Sequence, residues 1–173
     1  MRHSLQIRAG QPGDADRLAV LAVQVWLHTY CTNGINSEVA QYVLSELTVE
    51  RFSARLIEPE FHILVAECNE WLVGFAAVKF GASCPSGARS AAELQTLYVQ
   101  EHFVGHGIGR SLLEAAEAKA REQSASPIWL TVNAQNARAI AFYARQGYSR
   151  VGTTHFVLGQ GRYENHVLIG AEA

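Results

Sequence analysis

The chain has 173 residues, 49% of them apolar and 17% charged, with a formal net charge of −2. These values suit one globular domain, residues 1–173, with a single core. They offer no basic footprint for nucleic acid or an anionic membrane, no run of about 18 apolar residues to span a bilayer, and no apolar leader, so a cytoplasmic protein is expected.

In chain order, Ile7-Arg8-Ala9 reads as a first strand and Gly10 to Gly13 as a turn. Asp14 is expected to cap the next helix by accepting a bond from a free backbone N–H. Leu18, Leu21, Ala22, Val25 and Trp26 fall at helical spacing, and Thr32-Asn33-Gly34 suits a left-handed stop. Cys31, Cys68 and Cys84 are odd in number and lack metal-ligand spacing, so they are expected as free, packed thiols. Ser37–Leu44 and Thr48–Leu56 read as short helices, the second capped by Thr48. His62–Glu67 and Trp71–Phe80 are β-rich and joined by Cys68-Asn69-Glu70 as a hairpin. Residues 81 to 90 form a loop.

Leu94–Val99 is a strand, followed by a helix from Gly107 to about Gln123. Ile128–Val132 is a further strand, Asn136–Gln146 a helix stopped by Gly147, and Tyr148–Leu158 and Tyr163–Ile169 are closing strands. Hairpins in both halves with helices between them predict an α/β (α+β) fold whose sheet is mixed rather than purely parallel.

The chemistry-bearing stretch is Gly105-His106-Gly107-Ile108-Gly109-Arg110, between a strand and a helix. Its three glycines are expected to adopt positive φ and let backbone approach a ligand. The helix start adds free N–H groups and the positive end of the dipole, which suit a pyrophosphate. Arg110 adds a charge-assisted contact. A P-loop needs GxxxxGK[ST], which is absent, and the dinucleotide fingerprint would need glycine where Arg110 stands.

This segment resembles the Q/R-x-x-G-x-G/A signature of the GNAT acetyltransferase superfamily, with Val104 at the first position. A second stretch, Asn133 to Tyr148, resembles that superfamily's N-x-x-A-x-x-F-Y-x-x-x-G-F segment. Val25 to Tyr30, Glu46 to Phe52 and the run from Gly152 to Leu168 are similar to PaiA-type spermine/spermidine acetyltransferases. The resemblance implies the GNAT acyl-CoA N-acyltransferase fold, with a mixed, mostly antiparallel central sheet flanked by helices, and an acyltransferase that moves the acetyl group of acetyl-CoA, a cosubstrate, to a polyamine-like small-molecule amine, with no metal. A homodimer is also implied. A protein N-terminus, an amino acid or an antibiotic amine would serve as acceptor by the same chemistry, and a non-catalytic CoA-binding sensor is the reading from a different class.

Residue by residue, the resemblance implies that Leu97, Tyr98 and Val99 pair with the pantetheine arm, with a backbone N–H near Leu97 facing the developing oxyanion. Val104, Gly105, His106, Gly107, Ile108, Gly109 and Arg110 hold the pyrophosphate, Val104 through its backbone. Asn136 bonds the cofactor arm. Tyr143 matches the general acid; a phenol with an ordinary pKa of about 10 is protonated at neutral pH, and its plain alternative is core packing. Glu93 is the first candidate for the base, against a solvated strand-entry charge. Glu38 and Glu46 are weaker candidates, His28 and His106 read as structural, and Trp26 and Tyr30 either line an acceptor pocket or belong to the core.

Overall fold

The computed structural model describes residues 4–124 and 127–171. Among the described residues, seven strands and five α-helices form two compact units, with β3, β4 and α4 contributing to both.

The first unit comprises residues up to Ala77 together with Thr96–Ala115. It holds β1 (Leu5–Ala9), α1 (Ala15–Tyr30), α2 (Ser37–Glu46), α3 (Val49–Ile57), β2 (Phe61–Cys68), most of β3 (Trp71–Phe80), the end of β4 (Ala92–Val99) and the start of α4 (Ile108–Ser124). Its strand order is β1-β2-β3-β4, with β1 antiparallel to β2 and Ile7 opposite Ala66. The β2–β3 turn places Asn69 and Glu70 at φ 50° and 69°. Asparagine accepts that left-handed region more readily than most residues.

Local chemistry sets the helix starts. Asn36 accepts from the Val39 N–H at 2.9 Å and Thr48 from the Arg51 N–H at 3.3 Å, so each caps its helix. Leu18, Leu21 and Ala22 of α1 meet Phe52 of α3, Ile63 and Val65 of β2, and Phe75 of β3 in one buried cluster. Phe75 lies edge-on to both Phe52 and Tyr98, at centroid distances of 5.6 Å. Such pairs add about 1 kcal/mol each beyond burial.

Asp14 departs from the expected cap. It closes a single 3-10 turn, Pro12–Asp14, and makes no side-chain cap bond to α1. Its carboxylate instead accepts from the Gln11 N–H at 2.8 Å, from two Arg8 nitrogens at 2.7 and 3.0 Å, and from Arg17. Glu67 closes the cluster through Arg8 at 2.6 Å and Arg17 at 3.2 Å. Two guanidinium groups outcompete the helix N–H groups for this carboxylate, because charged donors bind it more strongly.

The second unit comprises Val78–Gln95 and the chain from Ala116 onward. Besides its shares of β3, β4 and α4 it contains β5 (Trp129–Asn133), α5 (Ala137–Arg145), β6 (Ser149–Leu158) and β7 (Gly161–Ile169), in the strand order β3-β4-β5-β7-β6. β4 and β5 are parallel, with Glu93 level with Trp129. β5–β7 and β6–β7 are antiparallel, and β6 carries an irregularity between Arg150 and Gly152. The mixed, mostly antiparallel sheet with flanking helices matches the expectation. Trp129 packs with Cys84 and Val167 and donates its indole N–H to the Ala82 carbonyl at 3.1 Å. All three cysteines are free thiols; Cys68 and Cys84 are buried and Cys31 is partly exposed. No helix among the described residues is long and apolar enough to cross a membrane.

Candidate active site

In the first unit, β4 delivers Leu97, Tyr98 and Val99 to the edge of the glycine turn. The Gln100 N–H donates to the Val73 carbonyl at 2.9 Å. Gly74 explains why β3 and β4 can approach so closely. A Cβ built there would stand 2.8 Å from the Tyr98 carbonyl oxygen and 3.3 Å from Leu112 Cδ1. The sequence reading passed over Gly74, although a lone glycine inside a strand pattern signals such an approach.

The chain then makes one 3-10 turn, Glu101–Phe103, and Val104 leaves it extended at φ −68°, ψ 146°. Gly105 and Gly107 take φ values of 85° and 81°, a region costly for any other residue. Nothing lies within 4 Å of a Cβ built at either glycine, so the turn faces open space. Gly109 corrects the expectation of three positive-φ glycines: it lies inside α4, where positive φ would break the helix. The Ser111 N–H donates to the Gly107 carbonyl at 3.0 Å, so the helix supplies no acceptor for the N–H groups of Ile108, Gly109 and Arg110. His106 Nδ1 lies 3.1 Å from the Val104 carbonyl. Arg110 is exposed and pairs with Glu114, one helical turn on, at 2.7 Å. Open space, two left-handed glycines and a helix start combine here, and helix N-termini of this kind favour anionic groups.

Also in the first unit, Trp26 is 5% exposed, stacked on Tyr42 at 4.8 Å and tilted against Tyr30 at 5.4 Å. Its indole is thus mostly covered, as a core reading expects. Glu38 is half-buried on α2, and Glu46 pairs with Arg51 at 3.1 Å. His28 Nε2 lies 3.6 Å from Glu101 Oε2 at the surface. Among the described residues no group of three or more His, Cys, Asp or Glu side chains is placed to hold a metal.

Glu93, Asn136 and Tyr143 belong to the second unit. Glu93 is half-buried and accepts from Gln95 Nε2 at 3.1 Å. Burial pushes its carboxyl above the ordinary range, against the opposing pull of the Gln95 bond and the Lys79 charge. A carboxylate so raised holds a proton more readily, which is what a base near neutrality requires. Asn136 caps α5: its Oδ1 accepts from the Ala139 N–H at 3.1 Å. One amide group thereby fixes the helix start while its NH2 side keeps two donors.

Tyr143 is 8% exposed, with its ring 5.1 Å from Phe142 and 5.6 Å from Tyr148. The Tyr148 hydroxyl donates to Glu117 at 2.9 Å, and burial together with the Glu117 charge pushes its pKa upward. Tyr148 therefore stays protonated and committed to Glu117. The sequence reading took Tyr148 only as a strand start, because nothing local ties it to a carboxylate 31 residues earlier.

Residues 25–148 match the model of the acetyltransferase (GNAT) family. The chain belongs to the GNAT acetyltransferase family. The matched span contains the glycine turn, Glu93, Asn136 and Tyr143, and the family makes the chain an acyltransferase. An uncharacterized N-acetyltransferase of Mycobacterium tuberculosis is 31% identical over 157 residues, covering 90% of this chain and 96% of that one. A spermidine N(1)-acetyltransferase of Thermoplasma acidophilum is 26% identical over 151 residues, covering 84% and 88%. The crystal structure of the PaiA N-acetyltransferase from Thermoplasma acidophilum in complex with coenzyme A has the same fold. It aligns with a TM-score of 0.76 at 21% identity over 94% of this chain and 98% of that one.

Proposed function

We propose that the chain transfers the acetyl group of acetyl-CoA to a primary amine of a small, polyamine-like molecule by direct attack. The observation that carries this reading is the turn from Val104 to Arg110. Two left-handed glycines open onto space there, and the first N–H groups of α4 have no helical acceptor. The spermidine-acetylating relative supports the acceptor class.

Acetyl-CoA supplies an activated thioester carbonyl. The backbone N–H groups of the turn hold its pyrophosphate, with Arg110 adding charge once it leaves Glu114. Leu97, Tyr98 and Val99 pair with the pantetheine arm, and Asn136 bonds the same arm through its NH2 group. Glu93 takes a proton from the acceptor ammonium, directly or through water, which frees the nitrogen lone pair. The amine then attacks the carbonyl carbon. A backbone N–H near Leu97 stabilises charge on the carbonyl oxygen, a contribution typically of a few kcal/mol. The new C–N bond forms, the C–S bond breaks, the Tyr143 hydroxyl gives a proton to the leaving thiolate, and the second proton shed by the amide nitrogen, passed through water, restores the phenol.

The test is an acceptor screen with acetyl-CoA, read by mass spectrometry and thiol release. Diamines, amino acids, peptides with free N-termini and aminoglycosides are offered in parallel. Expected is an acetamide of a diamine or polyamine formed with an equal amount of free CoA. Acetylation confined to peptides or amino acids would overturn the acceptor class. CoA binding without product on any amine would overturn the reaction in favour of a sensor.

A further inference from the structure

In the second unit, the end of α5 ties Tyr148 to Tyr143. Gly147 takes φ 85° and reverses the chain after Gln146. The Tyr148 N–H then folds back to the Tyr143 carbonyl at 3.0 Å, and the Gly147 N–H donates to the Ala144 carbonyl at 3.1 Å. A helix closed by this pair of bonds brings together the side chains at the ends of the longer one. The two tyrosine rings accordingly meet at 5.6 Å, tilted by 55°.

A helix stop of this kind needs only an apolar contact, and the segment that Asn133 to Tyr148 resembles ends in phenylalanine. Tyr148 adds a hydroxyl, and the fold gives that hydroxyl its own partner. It donates to Glu117 Oε1 on α4 at 2.9 Å, while the residue is 6% exposed. A bond to a charged acceptor is stronger than a neutral one, so it anchors the far end of the ring. Gly170 backs the same end. A Cβ built there would stand 3.3 Å from Tyr148 Cζ and 3.5 Å from its hydroxyl oxygen. The Gly170 N–H is itself held by the Ile128 carbonyl at 2.9 Å, so fixed backbone limits the ring there. Tyr148 is thus held at its N–H and at its hydroxyl, and Tyr143 leans on the ring between them.

A general acid works only while its O–H points at the leaving atom, and a misplacement of about 1 Å costs on the order of 100-fold. Resting on the acetyltransferase reading and on Tyr143 as its acid, we propose that Tyr148 is a positioning residue. Anchored through its hydroxyl to Glu117, it holds the Tyr143 ring in the orientation from which the phenol protonates the leaving thiolate. The role requires no contact between Tyr148 and the reacting atoms. Glu117 acts one step further back, through Tyr148.

The test is a double-mutant cycle read by thiol release, with saturating 1,4-diaminobutane as acceptor and rates normalised to CoA-binding protein by calorimetry. Tyr148→Phe keeps the ring and removes its anchor, so kcat should fall about tenfold while KM for acetyl-CoA holds. In a Tyr143→Phe background the same substitution should change kcat by less than about twofold, because the acid it positions is gone. Glu117→Ala should reproduce the Tyr148→Phe loss, and Glu117→Gln, which keeps an acceptor oxygen, should restore most of the wild-type rate. An equal fall in both backgrounds, or no fall in Tyr148→Phe, overturns the inference. Tyr143→Phe at the full wild-type rate is a different result and sinks Tyr143 as the acid. The clamp is also read without turnover, in the Tyr143 ring signals of protein labelled with 13C-tyrosine. They should shift and broaden in Glu117→Ala and stay in place in Glu117→Gln. A wild type that releases no thiol would sink the transferase reading, whereas ring signals unmoved by Glu117→Ala would overturn the clamp itself.

Discussion

The Asp14 cluster and the Gly105–Arg110 turn put strongly polar groups to opposite uses. Around Asp14, each carboxylate oxygen is engaged by guanidinium or backbone donors, and the residue is 2% exposed. In the turn, two left-handed glycines face open space, Arg110 is held only by a surface pair, and α4 offers no acceptor to its first N–H groups. The first arrangement locks β1, β2 and α1 together and has nothing left to offer a ligand. The second holds its donors in place by backbone geometry and leaves their bonds to be made. Saturation marks the structural cluster here, and open valence marks the proposed binding turn.

The largest effect is expected at Tyr143. Tyr143→Phe keeps the ring packing and removes only the hydroxyl, so kcat should fall about 100-fold or more while the melting temperature and CoA affinity hold. Parallel losses of rate and stability would mean that the hydroxyl serves packing.

Asp14→Ala should show the reverse pattern. Removing the buried carboxylate of the ion cluster leaves two guanidiniums to share Glu67 alone and costs about 3 kcal/mol, a drop of roughly 10 °C in melting temperature, with CoA affinity retained. The acid limb follows from the same bonds. Arg8 leads in holding the Asp14 carboxyl at about 2 against an ordinary 3.8. That contribution, about 2 kcal/mol, is complete above pH 4 and is lost as pH falls toward 2.

Glu93 has the opposite sign. Burial raises its pKa, so the fold favours the protonated form and this group's contribution to stability declines as pH rises through the raised value. As the proposed base, Glu93 works only as carboxylate, so kcat/KM for the amine should climb with pH through a value above the ordinary 4.5. Glu93→Gln should erase that ascending limb and lower the rate about tenfold or more. An unchanged profile would remove Glu93 from the reaction. Arg110→Ala, at the small end, should weaken CoA binding several-fold, as expected for an exposed charge already shared with Glu114.

Much of this contrast could be read before any coordinates. The Thr48 cap, the stop near Gly34, the hairpin at Asn69-Glu70 and the glycine turn all lie in local sequence, where spacing and residue type speak directly. Asp14 was misread because the cap rule weighs only helix N–H groups, while the guanidinium groups of Arg8 and Arg17, both also paired with Glu67 on β2, take its carboxylate. Gly109 was misjudged because three alternating glycines look equivalent, while only two precede the helix. The buried Asn165 Oδ1, without a hydrogen-bond partner among the described residues, could not be found at all. Its face depends on the β5–β7 and β6–β7 registers, and the irregularity at Arg150/Gly152 shifts β6 past β7 in a way that alternation cannot foresee.

The claim that the turn works through its backbone is tested most directly by calorimetry of CoA binding to Gly107→Val and Val104→Ala. Valine cannot hold φ near 81° without strain and carries its side chain into the open cradle, so Gly107→Val should abolish measurable binding. Val104 is extended and contributes only backbone, so Val104→Ala should bind CoA within about twofold of wild type. Equal losses in the two variants, or full binding by Gly107→Val, would contradict the account.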